Sequence, residues 1–389
     1  MRRIIQLFLC ANIGLLFCKR YEAFWTKTYG GVNNDYGSAV EETLDKGYII
    51  AGRTESFGAG KADVYVIKTD SKGDTLWTRT YGGPADDGAL SVKQTRDEGY
   101  IIAGITASFN RENDVYLIKI DKNGNTLWIK TYGGAKDDRA YSVLQTEDGG
   151  YIIAGITKSF GSGNGDVYVI KTNDKGDTLW TKTYGGVKED GAFFIQHTRD
   201  GGYIIAGWTR SFGAGHDDVY LLKIDRNGDT MWTKTYGGVN DDGATCVQQT
   251  KDGGYIITGI TGSFGTGGDV YLIKTDKNGD LLWSKNYGGK DTDYGASVLQ
   301  TSDRGYIITG WTRSFGAGGF DVYIIKIDAQ GNLSWAETYG GKGWDWGQCI
   351  IQTSDKGYVI AGTTNSFGSG NYDVYLVKLP SIPKRKERK

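Results

Sequence analysis

Seven aspartates recur at Asp35, Asp87, Asp138, Asp190, Asp242, Asp293 and Asp345, each four residues after a Gly-Gly pair. Seven carboxylates at one radius have the composition of a cation-binding ring. An acid repeated identically in every copy is read more simply as an acceptor of N–H bonds in its own loop, and these seven are assigned that structural role. Asp63, Asp114, Asp166, Asp218, Asp269, Asp321 and Asp373 form a second such series and receive the same reading. Other chemistry-bearing residues are sparse. His197 stands where five other repeats have Gln, and His216 lies beside Asp217 and Asp218, a thin ligand set for a metal. Segments such as DKNGD at 276–280 lack the alternating ligands and terminal Glu of a calcium loop. Gly-rich stretches precede no helix, so they mark turns and not a phosphate cradle. No catalytic residue, metal or cofactor is assigned.

In a repeat protein, specificity is expected where the copies differ. Extra aromatics are unevenly placed: Tyr36 in the first repeat, Tyr294, Trp311 and Phe320 in the sixth, Trp344, Trp346 and Tyr372 in the seventh. Trp344 replaces the Asp, Asn, Glu or Thr of the other copies, and Trp346 stands where several have Gly. Large rings at a polar rim suit sugar faces or protein partners. Trp344, Trp346, Tyr36, Tyr294 and Trp311 are therefore the candidate ligand-binding residues, with a protein or a glycan as partner. Filling gaps within the fold is the equally simple alternative for any one of them.

The elements that position these residues follow from one period. Trp25, Trp77, Trp128, Trp180, Trp232, Trp283 and Trp335 succeed one another every 51 or 52 residues. Each repeat reads as four strands, exemplified by TLWTKTYGG, GASVLQT, YIIAGIT and DVYLIKTD, joined by D-x-G, SFGxG and NG or KG turns suited to antiparallel neighbours. A lone four-stranded meander cannot bury both faces, whereas a ring of radial sheets can. The expected fold is an all-β, seven-bladed propeller over residues 25–379. Its last blade takes an N-terminal outer strand, 25–31, beside three C-terminal strands. Gly52, Gly104, Gly155 and their counterparts are expected to let adjacent sheets approach closely. The Gly-Gly connections and SFGxG loops fall on one face, the loop face, where a site is to be sought; the D-x-G and NG turns fall on the other.

All seven repeats resemble the tandem propeller repeats of bacterial and archaeal surface or secreted proteins, and the closure resembles that of WD-repeat propellers. The D-x-x-G-x-x-x-W turn, as in Asp70, Gly73 and Trp77, resembles the tryptophan-docking motif of quinoprotein-type propellers, with one residue fewer between Asp and Gly. It also resembles the Asp-box turn of sialidase-type propellers at a different offset. These likenesses imply blade structure; no adjacent cysteine pair of the quinoprotein kind is present, so that cofactor is not implied. Arg53, Arg210 and Arg313 resemble the sialidase arginine cluster in type but fall in separate repeats.

Formal charge is −1, with +3 in residues 1–24 and +4 in the tail 384–389, which leaves the repeats at about −8. An acidic body argues against nucleic acid as a partner. Residues 1–24 have a basic start, an apolar run from Ile4 to Phe17 and a polar end, as a secretory signal does. That run is short for a membrane span. Export is expected, to an extracellular, periplasmic or surface location, with membrane contact only through this signal or a lipid at Cys18. Residues 380–389 read as a basic, disordered tail. Cys246 and Cys349 occupy one repeat position in non-adjacent copies and read as small buried fillers. The functional expectation is a monomeric, non-enzymatic binding or scaffolding module, with a loop-face glycan hydrolase as the alternative.

Overall fold

In the computed structural model, which describes residues 23–109 and 112–381, the chain forms seven four-stranded antiparallel sheets. The signal-like segment, apart from Ala23 and Phe24, and most of the basic tail lie outside the described residues. Strands are numbered in chain order. Blade 1 runs from its inner strand β2 (Asp35–Glu42) through β3 (Tyr48–Thr54) and β4 (Asp63–Thr69) to its outer strand β5 (Thr75–Tyr81). Blades 2 to 6 repeat this order over 87–132, 138–184, 190–236, 242–287 and 293–339. Blade 7 is built from β26 (Asp345–Gln352), β27 (Tyr358–Thr364), β28 (Asp373–Leu379) and the N-terminal β1 (Trp25–Tyr29). Trp25 pairs with Lys378 and Tyr29 with Val374, so the ring closes by joining the chain's two ends.

The core lies between blades. The two middle strands of each blade are buried on both faces, and Ile49, Ala51, Val64 and Val66 of blade 1 pack against Val92, Tyr100 and Ile102 of blade 2 in one such interface. At the perimeter each outer strand holds the next blade. The Trp25 ring lies against Gly73, and the Tyr29 hydroxyl donates to the Gly73 carbonyl at 2.7 Å. Equivalent tyrosine bonds of 2.5–2.7 Å link five further junctions.

Every inner strand carries a β-bulge after its third residue, from Gly37/Ala39 in blade 1 to Gly347/Cys349 in blade 7. This refines the expectation for Gly52, Gly104 and Gly155. A Cβ at Gly52 would overlap the Tyr36 carbonyl oxygen of the adjacent strand in its own blade, so the tightest approach is that of the bulged inner strand within the sheet. Adjacent sheets also approach at a counterpart, where a Cβ on Gly37 would stand 2.5 Å from the Gly362 carbonyl oxygen of blade 7.

A series of buried lysines, unremarked in the sequence, fixes the turn face. Lys68, Lys119, Lys171, Lys223, Lys274, Lys326 and Lys378 are only 2–5% exposed. Each ammonium lies 2.8–3.1 Å from the D-x-G aspartate of its own blade, and six of the seven also donate to the carbonyl of the next residue, as Lys223 does to Ile224. Partial burial opposes ionisation of these aspartates. At Asp200 it is outweighed by hydrogen bonds from Thr198, Lys223 and the Gly202 N–H and by the Lys223 charge, which hold the carboxyl below its ordinary range. Asp45, Asp97, Asp148, Asp252, Asp303 and Asp355 are lowered in the same way.

Two tests follow. Removing residues 1–29 strips the outer strand from blade 7, and a loss of several kcal/mol, seen as a lowered melting temperature, is expected from lost ladder bonds and burial. Asp200→Ala leaves the Lys223 ammonium buried without its counter-ion and should cost about 3 kcal/mol in denaturant unfolding, more than Lys223→Met, which leaves only a half-exposed carboxylate. Because these carboxyls titrate lower folded than unfolded, their contribution is present above the ordinary Asp range. It is lost as pH falls through the folded values, so wild-type stability should drop below about pH 4 and less steeply in Asp200→Ala.

Candidate functional site on the loop face

The seven inner-strand aspartates are at most 1% exposed. Each Oδ2 accepts the N–H of the second Gly of its Gly-Gly pair at 2.7–2.9 Å. The same oxygen accepts the serine hydroxyl of its own SFGxG-type loop at 2.6–2.7 Å. Backbone completes the clamp: each aspartate N–H donates across the junction to the carbonyl that precedes the strand beside the outer one (β28, β4 and their counterparts) in the preceding blade, at 2.6–2.8 Å. The second series meets the first here. A Cβ on Gly30 would overlap Asp373 Oδ1 and stand 2.6 Å from Asp35 Oδ2, so the first Gly of the pair is squeezed between two carboxylates from adjacent blades. Burial and then the neighbouring Asp138, Asp190 and Asp345 push Asp114, Asp166 and Asp321 above the usual carboxylate range. None of these acids faces a rim-bound ligand; Asp293 and Asp345 are both 0% exposed.

The arginines do not converge. Arg53 pairs with Glu55 and Asp86, and Arg210 with Glu189 and Asp217 while lying over the Trp208 ring. His197 is on the opposite face, with Nε2 3.1 Å from the Gln145 carbonyl. Among the described residues no group of three or more His, Cys, Asp or Glu is placed to hold a metal ion.

The aromatics divide into two groups. Phe320, Trp344, Trp346, Tyr372 and Tyr36 form a continuous run across blades 6, 7 and 1, with successive ring centroids 5.5, 5.9, 5.5 and 5.5 Å apart. Phe320 and Tyr372 supply the carbonyls that bond Asp345 and Asp35, so the run follows the two junctions flanking the closing blade. Tyr372 lies between Trp346 and Tyr36, stacked at 10° and 25°, and Trp344 projects with 46% of its surface exposed. Tyr294 and Trp311 are elsewhere: they stack on each other at 4.0 Å, and Tyr294 lines the central channel. The candidate set is thus split by geometry, and Tyr372, not among the five candidates, is what joins Tyr36 to the tryptophans. Burial, followed by the Glu55 charge, raises the Tyr36 phenol.

No family model matches the sequence. The regulatory protein FlaEY of Caulobacter vibrioides is 25% identical over 371 residues, covering 82% of this chain but 37% of that protein. Among solved structures, the WD40 domain of Neurospora crassa Pan2 superposes with a TM-score of 0.53 at 12% identity, over 90% of this chain and 91% of that domain. The periplasmic gluconolactonase PpgL of Pseudomonas aeruginosa gives 0.51 at 12% identity, over 79% and 87%. These likenesses are of fold. A lactonase shares it with a WD40 domain, so chemistry has to come from this chain's own side chains.

Packing separates the two tryptophans. Trp346→Ala removes a ring with neighbours on both sides and should cost about 2 kcal/mol, whereas Trp344→Ala should cost less than about 1 kcal/mol, both measurable by denaturant unfolding.

Proposed function

We propose that the chain is a non-enzymatic, exported binding or scaffolding module of surface or secreted type, and that its partner is a protein seated on the loop face over blades 6, 7 and 1. One observation carries this reading: a half-exposed tryptophan, Trp344, stands where the other copies have Asp, Asn, Glu or Thr and is braced by Phe320 and Trp346 within a five-ring run, on a rim that also exposes the phenylalanines of the SFGxG-type loops. Such an anchor, held in place before binding, loses little side-chain freedom when a partner covers it. A sugar ring stacks on an open aromatic face. Here Tyr372 is covered on both faces and Trp346 on one, which favours a protein pocket over a glycan. The relative named as a regulatory protein accords with action by association. Export rests on the basic, apolar, polar order of residues 1–24.

Parallel protein and glycan arrays probed with wild type and Trp344→Ala test the reading. Protein binding reduced at least tenfold in the variant, at unchanged melting temperature, is the expected result. Hits confined to glycans, or protein hits indifferent to Trp344→Ala, would overturn it.

A further inference from the structure

The bulge in each inner strand has a second effect. Its extra residue has no partner on the next strand, and the seven residues so released, Ser38, Leu90, Tyr141, Phe193, Thr245, Ala296 and Gln348, all line a cavity of about 380 Å³ in the central channel. This is the one inner-strand position at which all seven copies differ, although the aspartate three residues earlier is the same in every copy and the residue two later is always Val or Ile. The scaffold is repeated and the channel wall is not.

The wall is two-sided. Leu90, Tyr141 and Phe193 from blades 2, 3 and 4 make an apolar arc, with Tyr141 and Phe193 edge to face at 4.9 Å. Gln348 and Ser38, from blades 7 and 1 across the ring, present an amide and a hydroxyl not engaged in any hydrogen bond of the described residues, and the Tyr294 phenol of blade 6 faces the same space. Thr245 is committed, since its hydroxyl donates to the Gly295 carbonyl at 2.6 Å. Lys93 is the one charged residue lining the cavity, and its ammonium is 3.8 Å from Glu41. Volume, an apolar wall and a few unsatisfied polar groups together describe a small-molecule site.

We propose that the central channel binds a small, uncharged, flat molecule, its apolar face against Tyr141 and Phe193 and its hydrogen-bonding edge toward Gln348 and Ser38. This site is separate from the rim at Trp344 and stands or falls independently of it.

Indole serves as the probe for titration calorimetry on the full chain, with toluene as a flat probe lacking the polar edge. Saturable indole binding is expected. Ala296→Phe, which fills the channel, should weaken it at least tenfold without lowering the melting temperature, because blades 3 and 4 already carry Tyr and Phe at this bulge. Ser38→Phe is a second filler should the first fail to fold. Gln348→Leu should weaken indole about tenfold, the equivalent of one lost hydrogen bond, and leave toluene unchanged. No saturable heat with folded wild type, or indole binding indifferent to a folded filler variant, would overturn the proposal, as would equal losses for both probes in Gln348→Leu.

Discussion

The buried aspartate at the head of each inner strand is the interaction on which the rest of the ring depends. Its N–H reaches back to the preceding blade, its carboxylate gathers a Gly N–H and a Ser hydroxyl of its own loops, and the second-series acid of the preceding blade, Asp373 in the case of Asp35, lies against it. Two carboxylates so close are tolerated because they accept N–H and hydroxyl bonds, two at Asp35 and two at Asp373, and because burial and the neighbouring acid raise Asp114, Asp166 and Asp321 above the ordinary range. The Gly-Gly pair follows from the same geometry. No side chain fits between the acids at the first glycine, and the second presses on the serine and phenylalanine of the loop beside it.

The opposite face uses a different device. There a buried lysine is tied to a half-exposed aspartate, which fixes the D-x-G turn within a blade, while blade-to-blade contact comes from the Trp and Tyr that grip the next outer turn and from turn N–H groups that donate to a glutamine of the next blade, as Arg199 does to Gln249. With both faces held by groups that repeat in every copy, other positions are free to vary. Two such positions are the residues flanking the inner-strand aspartate and the residue released by the bulge. Trp344 and Trp346 occupy the first, and Tyr141, Phe193 and Gln348 the second.

Such a division explains why the fold itself says little about activity. Burial between blades and the junction bonds specify the ring, and they are indifferent to what the channel or the rim displays. The same frame accordingly appears in the Pan2 WD40 domain and in a gluconolactonase at 12% identity.

Much of this was legible in the sequence because it is periodic. The spacing of Trp25 to Trp335 set the blade number, the D-x-G and NG turns set antiparallel order, and the unpartnered first and last strands required β1 to close on β28. The aspartate series and the aromatic excess near closure were visible as a repetition and as a departure from it. What the sequence alone did not decide were the relations between blades. Lys223 and its counterparts read as ordinary strand residues, since only the folded hairpin brings Asp200 against them. Gly52 suggested sheet-to-sheet approach, since a bulge is a matter of register between strands and leaves no mark in one strand alone. Tyr294 was grouped with Trp344, and the tertiary structure separates them: Tyr294 stacks on Trp311 of the adjacent strand and lines the channel, whereas Trp344 stands between Phe320 and Trp346 at the rim, a choice of ring partners that no single strand reveals.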